Sequence, residues 1–75
     1  MWNKIETKPE KDCRVILTVE MNGVRRVIER CWFSTLTNNF YYIDGTAKTF
    51  HDMLKPIPWR LKIVAWMYSP NPYEE

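Results

Sequence analysis

Nucleophilic catalysis needs a thiol or hydroxyl beside a base that a third group holds in place. Here the one histidine is His51, and the thiols are Cys13 and Cys31. No local signature joins either cysteine to His51, which reads as a surface or capping residue. Zinc would need two more ligands than the cysteine pair supplies, and the spacings match no metal motif. Carboxylates are no better placed for paired acid–base work. Asp44 and Asp52 read as turn and surface residues, and Glu20 and Glu29 lie among arginines. With Gly23 and Gly45 as the only glycines there is no phosphate loop. The sequence therefore reads as a non-enzymatic protein without catalytic residues, metal site or cofactor.

Two groups of residues could bind instead. Arg25, Arg26 and Arg30, with Arg14 across a hairpin, are followed by Trp32, Tyr41 and Tyr42. Arginines interleaved with aromatics can stack on bases and neutralise phosphates. This set is a candidate site for a nucleotide or single-stranded nucleic acid. The blander reading, preferred here, is a solvated strand face neutralised by Glu20 and Glu29. The second group is Trp59-Arg60, which follows Lys55-Pro56-Ile57-Pro58. A proline-stiffened loop can present such a pair to a partner, because Trp and Arg dominate interface hot spots. A Trp59 tucked into the core is the equal alternative. Trp2 and Trp66 are assigned to the core.

Composition bounds these readings. A chain of 75 residues makes one domain, 1–75. A domain of that size buries only about 60% of the surface its unfolded chain exposes, so its core must be dense, and a 15% aromatic share serves that need. A net charge of +2 is too small to imply nucleic acid by itself. The apolar runs are too short for a membrane span, the start lacks the apolar core of a signal peptide, and two sparse cysteines read as free thiols. The expected location is the cytoplasm.

The expected fold is mainly β (α+β), a small antiparallel sheet of three to five strands with one short helix. Residues 1–12 form a polar arm pinned by Trp2 and Ile5. Residues 13–20 form a strand rich in β-branched residues. Asn22-Gly23 then signals a hairpin, because both residues tolerate positive φ. The return strand runs from Val24 to about Phe33. A two-residue turn would pair Leu17 with Ile28. A three-residue turn would pair Leu17 with Val27 and set Cys13 opposite Cys31. The second is preferred, because it keeps Cys13, Val15, Leu17, Val19, Val27, Cys31 and Phe33 on one face. Residues 34–39 read as a turn and 40–43 as an aromatic strand. Thr46 is the expected cap of a short helix carrying Phe50, Met53 and Leu54, which Pro56 stops. Residues 60–68 form the last strand, with Leu61, Ile63, Ala65 and Met67 on one face and Lys62, Val64, Trp66 and Tyr68 on the other. Ser69-Pro70-Asn71-Pro72 implies an extended tail.

The two ends carry a resemblance. Trp2, Ile5, Pro9-Glu10 and Val15-Ile16-Leu17 at one end, and Val64-Ala65-Trp66-Met67 with Pro70 and Pro72 at the other, resemble an uncharacterised family of short phage- and prophage-encoded proteins. That family opens on Trp-Ile and a Leu-Pro-Glu loop feeding a Val-Leu-Val strand, and closes on a His-Trp-Met-Pro-Leu-Pro-x-Pro-Pro tail. Here Ala65 stands for the usual His, and Tyr68 and Ser69 for Pro and Leu. Residues 46–60 are longer than in typical members, and Trp2 lies one residue closer to Pro9. The resemblance implies a viral or mobile-element origin and no particular activity. With the lack of catalytic groups it leads to the expected function: a binding protein of a phage or mobile element, with counter-defence as a candidate role, that occupies a host protein or sequesters a small molecule. The expected ligand-binding residues are Arg25, Arg26, Arg30, Tyr41, Tyr42, Trp59 and Arg60. A homodimer or higher homo-oligomer is expected, since it would cover sheet edges and enlarge a small core.

Overall fold

The hairpin tip sets the geometry. Asn22 and Gly23 both take positive φ, 53° and 78°. That is the two-residue turn whose twist matches paired strands. The computed structural model describes residues 1–69. In it the turn joins β2 (Cys13–Met21) to β3 (Val24–Ser34), with Met21 opposite Val24 and Leu17 opposite Ile28. Further along, the register slips by one, so Val15 faces Cys31 and Cys13 faces Phe33. The slip places Glu29 and Arg30 together opposite Ile16 as a β-bulge.

Strand β4 (Asn39–Ile43) returns beside β3 through a turn in which Asn38 has φ 54°. One helical turn, α1 (Phe50–Met53), and the short β5 (Leu54–Pro56) follow. Strand β6 (Lys62–Tyr68) then pairs with the other side of β2, and β1 (Asn3–Lys4) caps that edge. The antiparallel sheet of six strands has the order β1-β6-β2-β3-β4-β5. Among the described residues no helix is long and apolar enough to cross a membrane.

Alternation along the strands builds one dense face. Val15, Leu17 and Val19 of β2, Cys31 and Phe33 of β3, Phe40 of β4 and Trp66 of β6 form the core. Phe33 and Phe40 are cross-strand partners with ring centroids 5.0 Å apart. Each fully buried large side chain contributes about 1.5–3 kcal/mol. The connection from β5 to β6 closes this face, with Ile57 and Leu61 packed on the core. In a flat sheet it would cross four strand spacings, roughly 19 Å. The segment from Pro56 to Lys62 reaches roughly 20 Å only when fully stretched. It instead contains a turn, with the Leu61 N–H donating to the Pro58 carbonyl at 3.0 Å. The sheet must therefore roll up around its core.

The N-terminal arm closes the rest. Ile5 packs on the core, Pro9 is buried, and the Trp66 indole N–H donates to the Thr7 carbonyl. Lys8 Nζ sits 5.1 Å from the Phe40 ring centre. Asp12 accepts from both the N–H and the hydroxyl of Thr35 at 2.7 Å, tying the arm to the β3–β4 turn. On the opposite face Trp32 meets Phe50 edge-on at 4.9 Å, which seats α1.

Several expectations are corrected. The tip takes the two-residue turn, not the three-residue one. The bulge, rather than the turn, brings Cys31 and Phe33 onto the core face with Val15. Val27 is therefore 56% exposed, and Ile28 packs on the core in its place. Cys13 lies opposite Phe33, not Cys31, and both thiols are free. The β6 faces are also changed by a register shift. Thr18 pairs with Ala65 but Val19 with Ile63, so Ile63 and Trp66 share the core face. Trp2 is 43% exposed and not part of the core; Ile5 and the buried Pro9 hold the arm instead. The helix is one turn capped by Thr49, whose hydroxyl accepts from the Asp52 N–H. Thr46 instead donates to Asp44 in a local turn. The sheet exceeds the expected strand count because the short β1 and β5 pair at its edges. Pro56, expected only to stop the helix, lies on the edge strand, where a missing N–H costs no ladder bond. The expected tail lies outside the described residues beyond Ser69, whose N–H donates to the Arg14 carbonyl.

Two stability outcomes follow. Phe33→Ala should cost about 3–5 kcal/mol in denaturant unfolding, as for a truncated core aromatic. Gly23→Ala meets no atom within 4 Å, so its cost of about 1–2 kcal/mol comes from the left-handed backbone alone. The Thr35 hydroxyl, and then its N–H, hold the Asp12 carboxyl below its ordinary value. A carboxyl lowered by folding contributes stability above its unfolded value and loses it as pH falls through the folded one. Asp12→Asn should therefore flatten the pH dependence of stability below about pH 4, measured by thermal melts.

Candidate functional site

The residues expected to bind are scattered by the pleat. Arg25 lies on the outer face, where its Nε donates to Glu20 at 3.0 Å in a solvent-exposed pair. Arg26, one residue on, points to the core face. Arg30 reaches from the bulge to the Gly45 turn, where a Cβ built on Gly45 would stand 3.1 Å from its guanidinium. Tyr41 is opposite Trp32, and its hydroxyl is hydrogen-bonded to Thr37 at 2.7 Å. Tyr42 is opposite Cys31 and partly exposed. Arg14 faces Trp32 at the far end of the hairpin from Arg25. These residues do not form one arginine–aromatic face.

Arg26 is linked to the Trp59-Arg60 turn through Leu61. Arg26 lines an apolar groove with Val19, Met21, Asn22, Val24 and Leu61. Leu61 ends the turn that carries Trp59 and Arg60, so the turn leads into the groove through Leu61, while neither Trp59 nor Arg60 lines it. Trp59 is 94% exposed, which decides between its two readings in favour of presentation. The turn does this mechanically. Ile57 and Leu61 are drawn onto the core, Pro58 stiffens the step between them, and Trp59 is left at the apex. The groove has a volume of about 170 Å³. Small-molecule sites run to about 300–1,000 Å³, so this one suits a single side chain of a larger partner.

Its apolar wall was not identified from sequence. Met21 and Val24 flank the turn, 42% and 55% exposed, where polar residues are usual. Apolar residues on both sides of Asn22-Gly23 were the available signal.

A second concavity lies at the opposite end of the strands. Lys11, Cys13, Arg14, Trp32, Tyr68 and Ser69 line about 450 Å³. Two cations beside two aromatic rings suit an anionic, planar ligand. Tyr68 is fixed there by an edge-on contact with Trp66 at 4.9 Å. Of these residues, Arg14 and Trp32 belong to the arginine–aromatic group expected from the sequence.

The thiols and His51 are held apart. Cys31 is buried in the core, whereas His51 lies beside Phe50 on the other face and lines a shallow groove with Ser34, Leu36, Thr37, Tyr41 and Leu54. Burial pushes the Cys31 thiol up to about 12, and desolvation raises that of the half-buried Cys13. Among the described residues, no group of three or more His, Cys, Asp or Glu is placed to hold a metal ion.

No protein-family model, curated protein or solved structure matches this chain. The functional reading therefore rests on its own geometry and chemistry. One consequence is directly measurable. Iodoacetamide at pH 8 should label Cys13 in the native protein and Cys31 only after denaturation, as read by peptide mass spectrometry. Equal labelling of both would mean the core opens at Cys31.

Proposed function

We propose that this protein is a non-enzymatic binding protein that docks on another protein through its hairpin end. One observation carries the reading: Trp59, almost fully exposed on a proline-stiffened turn whose last residue, Leu61, lines an apolar groove together with Arg26. Leaving an indole in water forgoes the largest apolar burial any side chain offers. A folded partner would recover it and insert a side chain between Met21, Val24 and Leu61. Arg26 in the groove and Arg60, next to Trp59 in the chain, would favour a partner with acidic groups around that anchor. The resemblance of the chain's two ends to short phage and prophage proteins supports a mobile-element origin. In that setting the protein would act in the cytoplasm of a bacterial host by occupying a host protein.

The strand-end concavity favours a second reading, sequestration of a small anionic aromatic ligand such as a nucleotide. Its cations are Lys11 and Arg14 and its rings Trp32 and Tyr68. Tryptophan fluorescence titrated with nucleoside phosphates tests it. The expected result is quenching that weakens steeply with salt and is lost in Lys11→Ala plus Arg14→Ala.

For docking, the discriminating variant is Trp59→Ala. Its stability should stay within about 0.5 kcal/mol of the parent, since the ring is exposed. Affinity for a stoichiometric partner captured from bacterial lysate should fall by about thirtyfold or more, the mark of a hot-spot residue. Equal capture by the variant, or no partner for the parent, would remove the reading.

A further inference from the structure

The sheet has an open edge in its middle. Strand β4 pairs with β3 only over Cys31–Ser34, so β3 from Val24 to Arg30 has β2 on one side and, among the described residues, no strand on the other. In a two-residue hairpin the residues flanking the turn exchange both backbone hydrogen bonds. Val24, Arg26 and Ile28 therefore point their backbone groups at β2, and Arg25 and Val27 point theirs into the open lane. None of the turn, loop or side-chain hydrogen bonds among the described residues reaches Arg25 or Val27 backbone groups.

We infer that this edge takes an added strand, an extended acidic segment of a partner protein paired with Val24–Ile28. The inference rests on the binding reading above and names the kind of partner. Charge selects the occupant. The edge carries Arg25 on one face, where Glu20 of β2 pairs with it, Arg26 on the other with no carboxylate bonded to it among the described residues, and Arg30 at its closed end; Glu29 is the one carboxylate within the edge strand from Val24 to Arg30. Successive residues of an incoming strand also alternate faces. Adjacent acidic residues would thus meet Arg25 and Arg26 together, with an apolar residue opposite Val27.

A second copy of the chain fits this lane poorly. Antiparallel pairing that sets Arg26 against its own copy opposes like charges. Pairing that sets Val27 against its copy would join Arg25 to Glu29. It would also place the second copy's Gly23 opposite Cys31, where Tyr42 already sits. The features that guard the edge against self-pairing, its arginines and its bulge, are those that admit an acidic strand.

The test is a titration of the folded chain with a blocked hexapeptide, Thr-Val-Glu-Glu-Val-Thr, followed by amide NMR and hydrogen exchange. The Arg25 and Val27 amides should shift and exchange at least about tenfold more slowly. N-methylation of one alternate pair of peptide amides (the second and fourth residues, or the third and fifth) should abolish binding and the other pair should not, because only one set faces the lane. Arg25→Glu plus Arg26→Glu should transfer the preference to the peptide with Lys in place of Glu. Unchanged Arg25 and Val27 amides at millimolar peptide, equal effects of both methylation patterns, or a dimer whose contacts protect this edge would each overturn the inference. Leu36→Ala, at an exposed position of the β3–β4 turn, should bind the peptide unchanged. Shifts confined to Met21 and Leu61 would overturn the edge while leaving groove docking intact.

Discussion

The structure depends on a conflict of register within one hairpin. At the tip, Asn22 and Gly23 impose a two-residue turn, which pairs Leu17 with Ile28. At the base, the core needs Cys31 and Phe33 on the same face as Val15 and Leu17. Continued without interruption, the tip register would turn Cys31 and Phe33 outward. The extra residue at Glu29–Arg30 resolves this by moving the strand one place along. A second irregularity does the same for β6, where the shift between Thr18 and Val19 lets Ile63 and Trp66 share the core face. Both strands flanking β2 are therefore adjusted to one buried face, on which the rings of Phe33, Phe40 and Trp66 lie.

Closure follows from the same face. Its cover comes from two connecting segments, the arm through Ile5 and Pro9 and the β5–β6 connection through Ile57 and Leu61. That connection is too short to cross a flat sheet with a turn in it, so packing and chain length together force the roll. The exposed Trp59 is a by-product of this closure. Anchoring both sides of the turn leaves its apex no inward direction.

The bulge also shapes the surface. It ends the ladder between β3 and β4 near Cys31, and β4 then turns away at Asp44 to receive α1 and β5. The upper half of β3 stands free as a result. Its side chains alternate between Glu20-paired Arg25 and groove-lining Arg26, so one pair of adjacent arginines serves two faces. Arg25, Arg26 and the apolar groove thus gather at the hairpin end, while the dense core lies toward the base.

The mainly β fold, the Asn22-Gly23 hairpin, the aromatic strand at 40–43 and the buried Trp66 were legible in the residues. Each rests on short-range physics: β-branched stiffness, positive φ at a turn, and alternation over a few positions. The arginines were also identifiable as a solvated strand face, and Trp59-Arg60 as a stiff loop whose ring had core and surface as equal alternatives. Their grouping was not. Whether Arg25 and Arg26 share a face depends on the pleat, and which aromatics join them depends on strand order. Both bulges were invisible locally, because a bulge answers to the partner strand's core residues and leaves no mark on its own. The short β1 and β5 exist only because β6 and β4 offer them edges to pair with. By itself the sequence determined the strands and one turn, since those are chosen within a few bonds. Only the tertiary structure decided register, closure and which residues meet at the surface, since those are set by burying one common face across distant segments.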